Sequence, residues 1–146
     1  MKRNFRFLCL LLILSLLLAF PVNATTDAEP RGSAFFGAYG TALYKTDTAT
    51  FEIWFDVDAN AAIMQEIGVS MIEVYRSTDQ EHWVKLKTYE MDDYPEMIDY
   101  NTASHVGYVT FDNAVPGFYY TAYVTFYAKN STGIGKRFVY TQILRM

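Results

Sequence analysis

The side chains able to move protons or hold a metal are few: His82, His105 and a scatter of carboxylates. His82 falls in a turn and His105 at the start of an extended run, and neither has metal-ligand spacing or a local catalytic context. Ser104 precedes His105 directly, but a serine nucleophile needs its base across space, and no Gly-x-Ser-x-Gly elbow occurs. Asp56-x-Asp58 and the set Asp92, Asp93, Glu96 and Asp99 are rich enough in oxygen to suggest calcium or an acid and base pair for glycoside cleavage. Neither set has the ordered ligand spacing of a calcium loop, and glycoside chemistry needs a cleft, so a solvated acidic loop is expected instead. No catalytic residue, metal ligand or cofactor is therefore expected. Asn130-Ser131-Thr132 is a formal glycosylation sequon, meaningful only in a eukaryotic host and otherwise the mark of an exposed turn.

Aromatic side chains offer more. Tyr120, Ala122, Val124 and Phe126 alternate with Tyr119, Thr121, Tyr123, Thr125 and Tyr127. If the first set faces a core, Tyr123 and Tyr127 face out, and neighbouring strands bring Tyr75, Trp83 and Tyr140 to the same sheet face. Tyrosine and tryptophan combine large apolar area with a polar tip, which suits protein interfaces and sugar stacking alike. The bland alternative is that cross-strand tyrosines only stabilise an exposed face.

The elements that must position these residues are strands. Ala34 to Tyr44 mixes small and aromatic residues as a first strand, and Phe51, Ile53, Phe55 and Val57 alternate with Glu52, Trp54, Asp56 and Asp58 in the clearest period of two. Asn60 is placed to cap a short helical turn through Ile67, stopped by Gly68. Val69 to Ser77 is extended, with Ile72 and Val74 on one side. After a turn at Ser77, Thr78 and Asp79, His82 to Glu90 returns with Val84, Leu86 and Thr88 inward and Trp83, Lys85, Lys87 and Tyr89 outward, the lysines protecting an edge. Met91 to Ser104 is expected as one long loop around Pro95, before strands at His105 to Asp112, Tyr119 to Lys129 and Arg137 to Arg145. The pattern predicts an all-β chain folded as one antiparallel β-sandwich.

Residues 1–24 read as a secretory signal: Lys2, Arg3 and Arg6, an apolar run from Phe7 to Phe20, then Val22-Asn23-Ala24 with cleavage expected after Ala24. The run is shorter than the roughly 18 apolar residues of a membrane span, so none is expected in the mature form. Residues 25–33 form a polar leader and residues 34–146 the sandwich domain. Cleavage leaves 122 of 146 residues, and it removes the single cysteine, Cys9. Without disulfides, stability rests on packing alone. The mature chain carries nine basic against sixteen acidic residues, a net charge of −7 against −4 for the whole sequence, which argues against nucleic acid or an anionic membrane surface as partner.

Ile72-Glu73-Val74-Tyr75-Arg76-Ser77, a short turn and Trp83 resemble the C and C′ strands of a fibronectin type III domain. Pro116-Gly117, Tyr120, the alternating run to Phe126, Asn130 and Gly133 resemble the E-to-F turn, corner tyrosine, F strand and F-to-G loop of that fold. The mature chain is also similar to a group of small exported bacterial proteins of unknown function, typically from anaerobic Gram-positive organisms. Ile67-Gly68, Ile72 to Ser77, Trp83, Pro95-x-Met97, Asn101, His105 and Ala122 to Asn130 carry that likeness. The resemblance implies a fibronectin type III or immunoglobulin-like sandwich and an extracellular or envelope location, without implying an activity.

The expected function is a secreted, non-catalytic binding module that contacts an extracellular protein or an envelope glycan through its outer sheet face or the Met91 to Ser104 loop. A self-associating structural or envelope protein is the alternative. A small hydrolase using the loop carboxylates stands third.

Overall fold

A computed structural model of the protein describes residues 34–60 and 62–146, all within one compact unit, Gly32–Met146. The signal sequence, its cleavage at Ala24, Cys9 and the leader at residues 25–33 lie outside the described residues. Among the described residues nine strands follow one another: β1 Phe36–Lys45, β2 Phe51–Ala59, β3 Met64–Ser77, β4 Val84–Glu90, β5 Ile98–Thr102, β6 Ser104–Phe111, β7 Tyr119–Asn130, β8 Gly133–Tyr140 and β9 Leu144–Arg145. A 3-10 turn, Pro95–Met97, precedes β5. Every strand pairing is antiparallel.

One sheet runs in the order β1, β2, β6, and the other in the order β4, β3, β7, β8, with β5 added to β3 and β9 to β7. The fold is an all-β antiparallel sandwich. Its core follows from the period of two: Phe51, Ile53, Phe55 and Val57 of β2 meet Ile72 and Val74 of β3 and Tyr120, Ala122, Val124 and Phe126 of β7, all buried. Fully burying a side chain of this size stabilises by roughly 1.5–3 kcal/mol, and Phe51 and Tyr120 gain further from ring contacts at 5.2 Å.

Four elements differ from the sequence expectation. Among the described residues no helical turn forms before Gly68, because β3 already begins at Met64 and is hydrogen-bonded on both sides, to β5 and to β7. Met64 and Ile67 are wholly buried, so sheet pairing and burial override the helix propensity of that stretch. Gly68 is needed for another reason: its φ is +152°, and a Cβ there would collide with the Met97 carbonyl oxygen.

Strand β4 presents its faces differently from the expected alternation. Its register against β3 shifts between Val74 and Tyr75, so Val74 faces Lys87 while Tyr75 faces Lys85. The bulge brings Tyr89 inward, opposite Ile72, and leaves Val84 and Leu86 exposed. The Lys87 ammonium lies over the Tyr89 ring at 4.1 Å.

Met91 to Ser104 is not one loop. Pro95 opens the 3-10 turn, the buried Met97 anchors it, and β5 pairs back onto β3 from Gly68↔Ile98 to Met64↔Thr102. The final extended segment also begins earlier than Arg137, since β8 starts at Gly133 in direct register with Asn130. Asn130 Oδ1 accepts from the Thr132 N–H at 2.8 Å, which makes the sequon a side-chain-closed turn.

Candidate functional site

The outer face of the larger sheet holds the aromatic residues singled out above. Tyr123 of β7 lies opposite Tyr140 of β8 and opposite Glu73 of β3, and Tyr75 lies opposite Thr121. The Tyr123 ring packs on Tyr140 at 4.8 Å and parallel to Phe138 at 5.9 Å. Beside this stack Tyr75, Trp83, Thr121, Tyr140, Thr141 and Ile143 line a cavity of about 410 Å³.

Three residues of that cavity, Tyr75, Trp83 and Thr141, are held from behind. The Tyr75 hydroxyl donates to Glu73 at 2.8 Å, and Lys85 donates to the other oxygen of the same carboxylate at 2.8 Å. The hydrogen bond to Glu73 raises the Tyr75 pKa to about 12, while the Lys85 hydrogen bond holds Glu73 below its ordinary range. Trp83 Nε1–H donates to the Gln80 carbonyl at 3.1 Å, which fixes the indole on the turn between β3 and β4. Beneath, Thr141 closes onto β7: its hydroxyl accepts from the Ala122 N–H at 2.9 Å. Hydroxyl, indole N–H and floor are thus internally satisfied, and the rings present carbon to solvent.

Tyr127 shares the side of β7 that carries Tyr123, yet it is only 6% exposed and does not belong to the open face. It sits opposite Gly68, and its hydroxyl donates to Glu66 at 3.0 Å, which also takes a 2.7 Å hydrogen bond from Lys129. Burial first, and Glu66 second, push its pKa up to about 12. Phe138 and Ile143, which the sequence reading passed over, are exposed in its place. Phe138 was findable as the residue two before Tyr140 on the same strand face. Ile143 was not, because it follows the end of β8.

The two histidines are occupied structurally. His82 Nδ1 meets Asp79 at 2.8 Å, and Asp79 also accepts the backbone N–H groups of Glu81 and His82. Those bonds, the His82 N–H foremost, hold the Asp79 carboxyl far below the usual range and close the turn that carries Trp83. His105 Nε2 lies 3.0 Å from the Glu96 carbonyl, with its ring against Phe55. Among the described residues no group of three or more His, Cys, Asp or Glu is arranged to hold a metal ion.

A second aromatic cluster, not anticipated from the sequence, lies on the outer face of the smaller sheet. Trp54 of β2 stacks on Tyr108 of β6 at 4.9 Å, and Tyr44 of β1 meets the indole edge-on at 6.4 Å. The outward phase of Trp54 was readable, but its cross-strand partners were not.

In the comparisons with known proteins, no protein-family model and no curated protein matches this chain.

Proposed function

We propose that the protein is a secreted, non-catalytic binding module that holds an extracellular protein or an envelope glycan on the outer face of its larger sheet. The observation that carries this reading is the cavity between Tyr75, Trp83, Tyr140 and Ile143. Tyr75 and Trp83 are braced by internal hydrogen bonds and Tyr140 by the Tyr123 ring, so little ordering entropy opposes a ligand that enters. Contiguous exposed aromatic surface of this kind marks interaction sites in soluble proteins. A protein partner that inserts an apolar side chain fits best, because the Tyr75 hydroxyl and the Trp83 indole N–H are already paired.

The fibronectin type III resemblance is supported by two features. The pairing of β3 with β4 and of β7 with β8 joins the segments that resemble C with C′ and F with G. Tyr120, the residue that resembles the corner tyrosine, is buried and receives a hydrogen bond from the Val115 N–H. Export is supported by the signal-like pattern of residues 1–24 and by the placement of the only cysteine within it.

Self-association has its own support. Ile134, Phe138 and Tyr140 leave apolar surface exposed along β8, whose outer edge pairs with no described strand. The deciding experiment expresses the full chain, recovers the protein from the medium and measures saturable binding to envelope proteins and polysaccharides. Loss of binding in Tyr140→Ser and Ile143→Ser, at unchanged melting temperature, supports the module. A mass that rises with concentration and falls in the same variants instead supports self-association, and retention inside the cell rejects export.

A further inference from the structure

We infer that the outer face of the smaller sheet is a second docking site, and that its ligand is an arginine side chain of a partner protein. The inference does not rest on what the larger sheet binds.

Register defines this face completely. Down the middle run Glu52, Trp54, Asp56 and Asp58 of β2, flanked by Tyr44, Ala42, Gly40 and Ala38 of β1 and by Thr110, Tyr108, Val106 and Ser104 of β6. Three of these positions are carboxylates, and none is lysine or arginine. Lys87 lies in a separate groove that Trp54 and Tyr108 also border, over the Tyr89 ring.

Small residues hollow the face. Gly40 and Ala42 leave a cavity of about 230 Å³ between Tyr44 and Trp54 on one side and Asp56 and Val106 on the other. The Asp56 carboxylate leans over Gly40, where a Cβ would stand 2.8 Å from its Oδ1. Asp56 has no hydrogen bond or ion pair among the described residues, so both its oxygens are free to accept. The indole is fixed, since its Nε1–H donates to Glu52 at 2.7 Å.

That combination selects a guanidinium. Trp54 and Asp56 stand two residues apart on one face of a strand, about 7 Å along it. A flat cation lying against the indole therefore has an unpaired carboxylate at its edge. Arginine can stack on the ring and fork onto the carboxylate at once. An ammonium uses the charge without the stacking, and a neutral sugar uses the ring without the charge.

The test uses the two tryptophans as reporter and control. In the protein obtained by expressing the full chain, indole N–H resonances are followed by nitrogen-proton correlation NMR while N-acetylarginine amide is added. The expected result is a saturable shift of the Trp54 resonance, a static Trp83 resonance, and affinity at least fivefold weaker for N-acetyllysine amide. Asp56→Asn, an exposed and nearly isosteric change, should abolish the shift, and Gly40→Ala, which displaces that carboxylate, should weaken it. Equal response to lysine overturns the guanidinium assignment. A Trp54 shift with chitobiose and not with arginine makes the face a glycan platform instead, and no shift with any probe removes the site.

Discussion

The backbone N–H of Val115 donates to the phenol oxygen of Tyr120 at 2.7 Å, and the ring bearing that oxygen is wholly buried against Phe51 and Phe111. The bond ties the connection between β6 and β7 to the centre of the core. Tyr120→Phe keeps the ring and removes the acceptor, so it should cost about 1–2 kcal/mol, read as a lower denaturant midpoint at unchanged slope. A variant as stable as the parent would mean that water replaces the phenol at that N–H.

Gly68 should be far less tolerant than any surface position. Alanine there combines an unfavourable positive φ with a collision against the Met97 carbonyl and an approach to the Ile98 Cα at 3.0 Å. Separating β5 from β3 is the only relief, and a loss of about 2–4 kcal/mol is expected by thermal unfolding.

The tyrosines of β7 and β8 should divide sharply. Tyr140 is 62% exposed, and its replacement by serine should change stability by no more than about 0.5 kcal/mol. Tyr127→Ser removes a buried ring and leaves Glu66 with one partner fewer, at a cost of about 3 kcal/mol. Parallel melting curves of the two variants check this directly.

Titration should separate the same residues. Tyr75 and Tyr127 ionise near 12 against an ordinary 10.0, so the phenolate absorbance should include a late phase, and Glu73→Gln should move Tyr75 back toward 10. Because the folded state raises these values, their contribution to stability is complete below pH 10 and is lost as the pH climbs toward 12.

At the acid end the sign reverses. Glu66 and Glu73 are held below 4.5 chiefly by hydrogen bonds from Lys129 and Lys85. Their contribution is present above pH 4.5 and disappears as the pH falls through the lowered folded values. Melting temperatures measured across that window should fall less steeply in Glu66→Gln and Glu73→Gln than in the parent.

Much of the sandwich was legible because β2, β6 and β7 carry their own period of two. The alternation of Phe51 to Val57 and of Tyr120 to Phe126 needs no partner to be read. Elements defined by a partner were not legible. Met64 to Ile67 looks helical until β5 and β7 are placed on either side of it, and Ile98 to Thr102 looks like loop until β3 is there to receive it. The bulge at Val74 and Tyr75 is a property of two strands together, so one strand could not reveal that Tyr89 turns inward. The same holds for the candidate sites. Tyr75, Trp83, Tyr123 and Tyr140 were found through strand phase, whereas the burial of Tyr127 depends on its packing, and the stack of Trp54 on Tyr108 depends on register.

Because the two sheets share one core, their outer faces look in opposite directions. A ligand held by Tyr75 and Tyr140 is separated from one held by Trp54 and Asp56 by the full thickness of the molecule. Neither can shield the other from its target, so both sides can be occupied at once. With both proposed ligands bound, the sandwich would work as a rivet, its single core the shank between two surfaces.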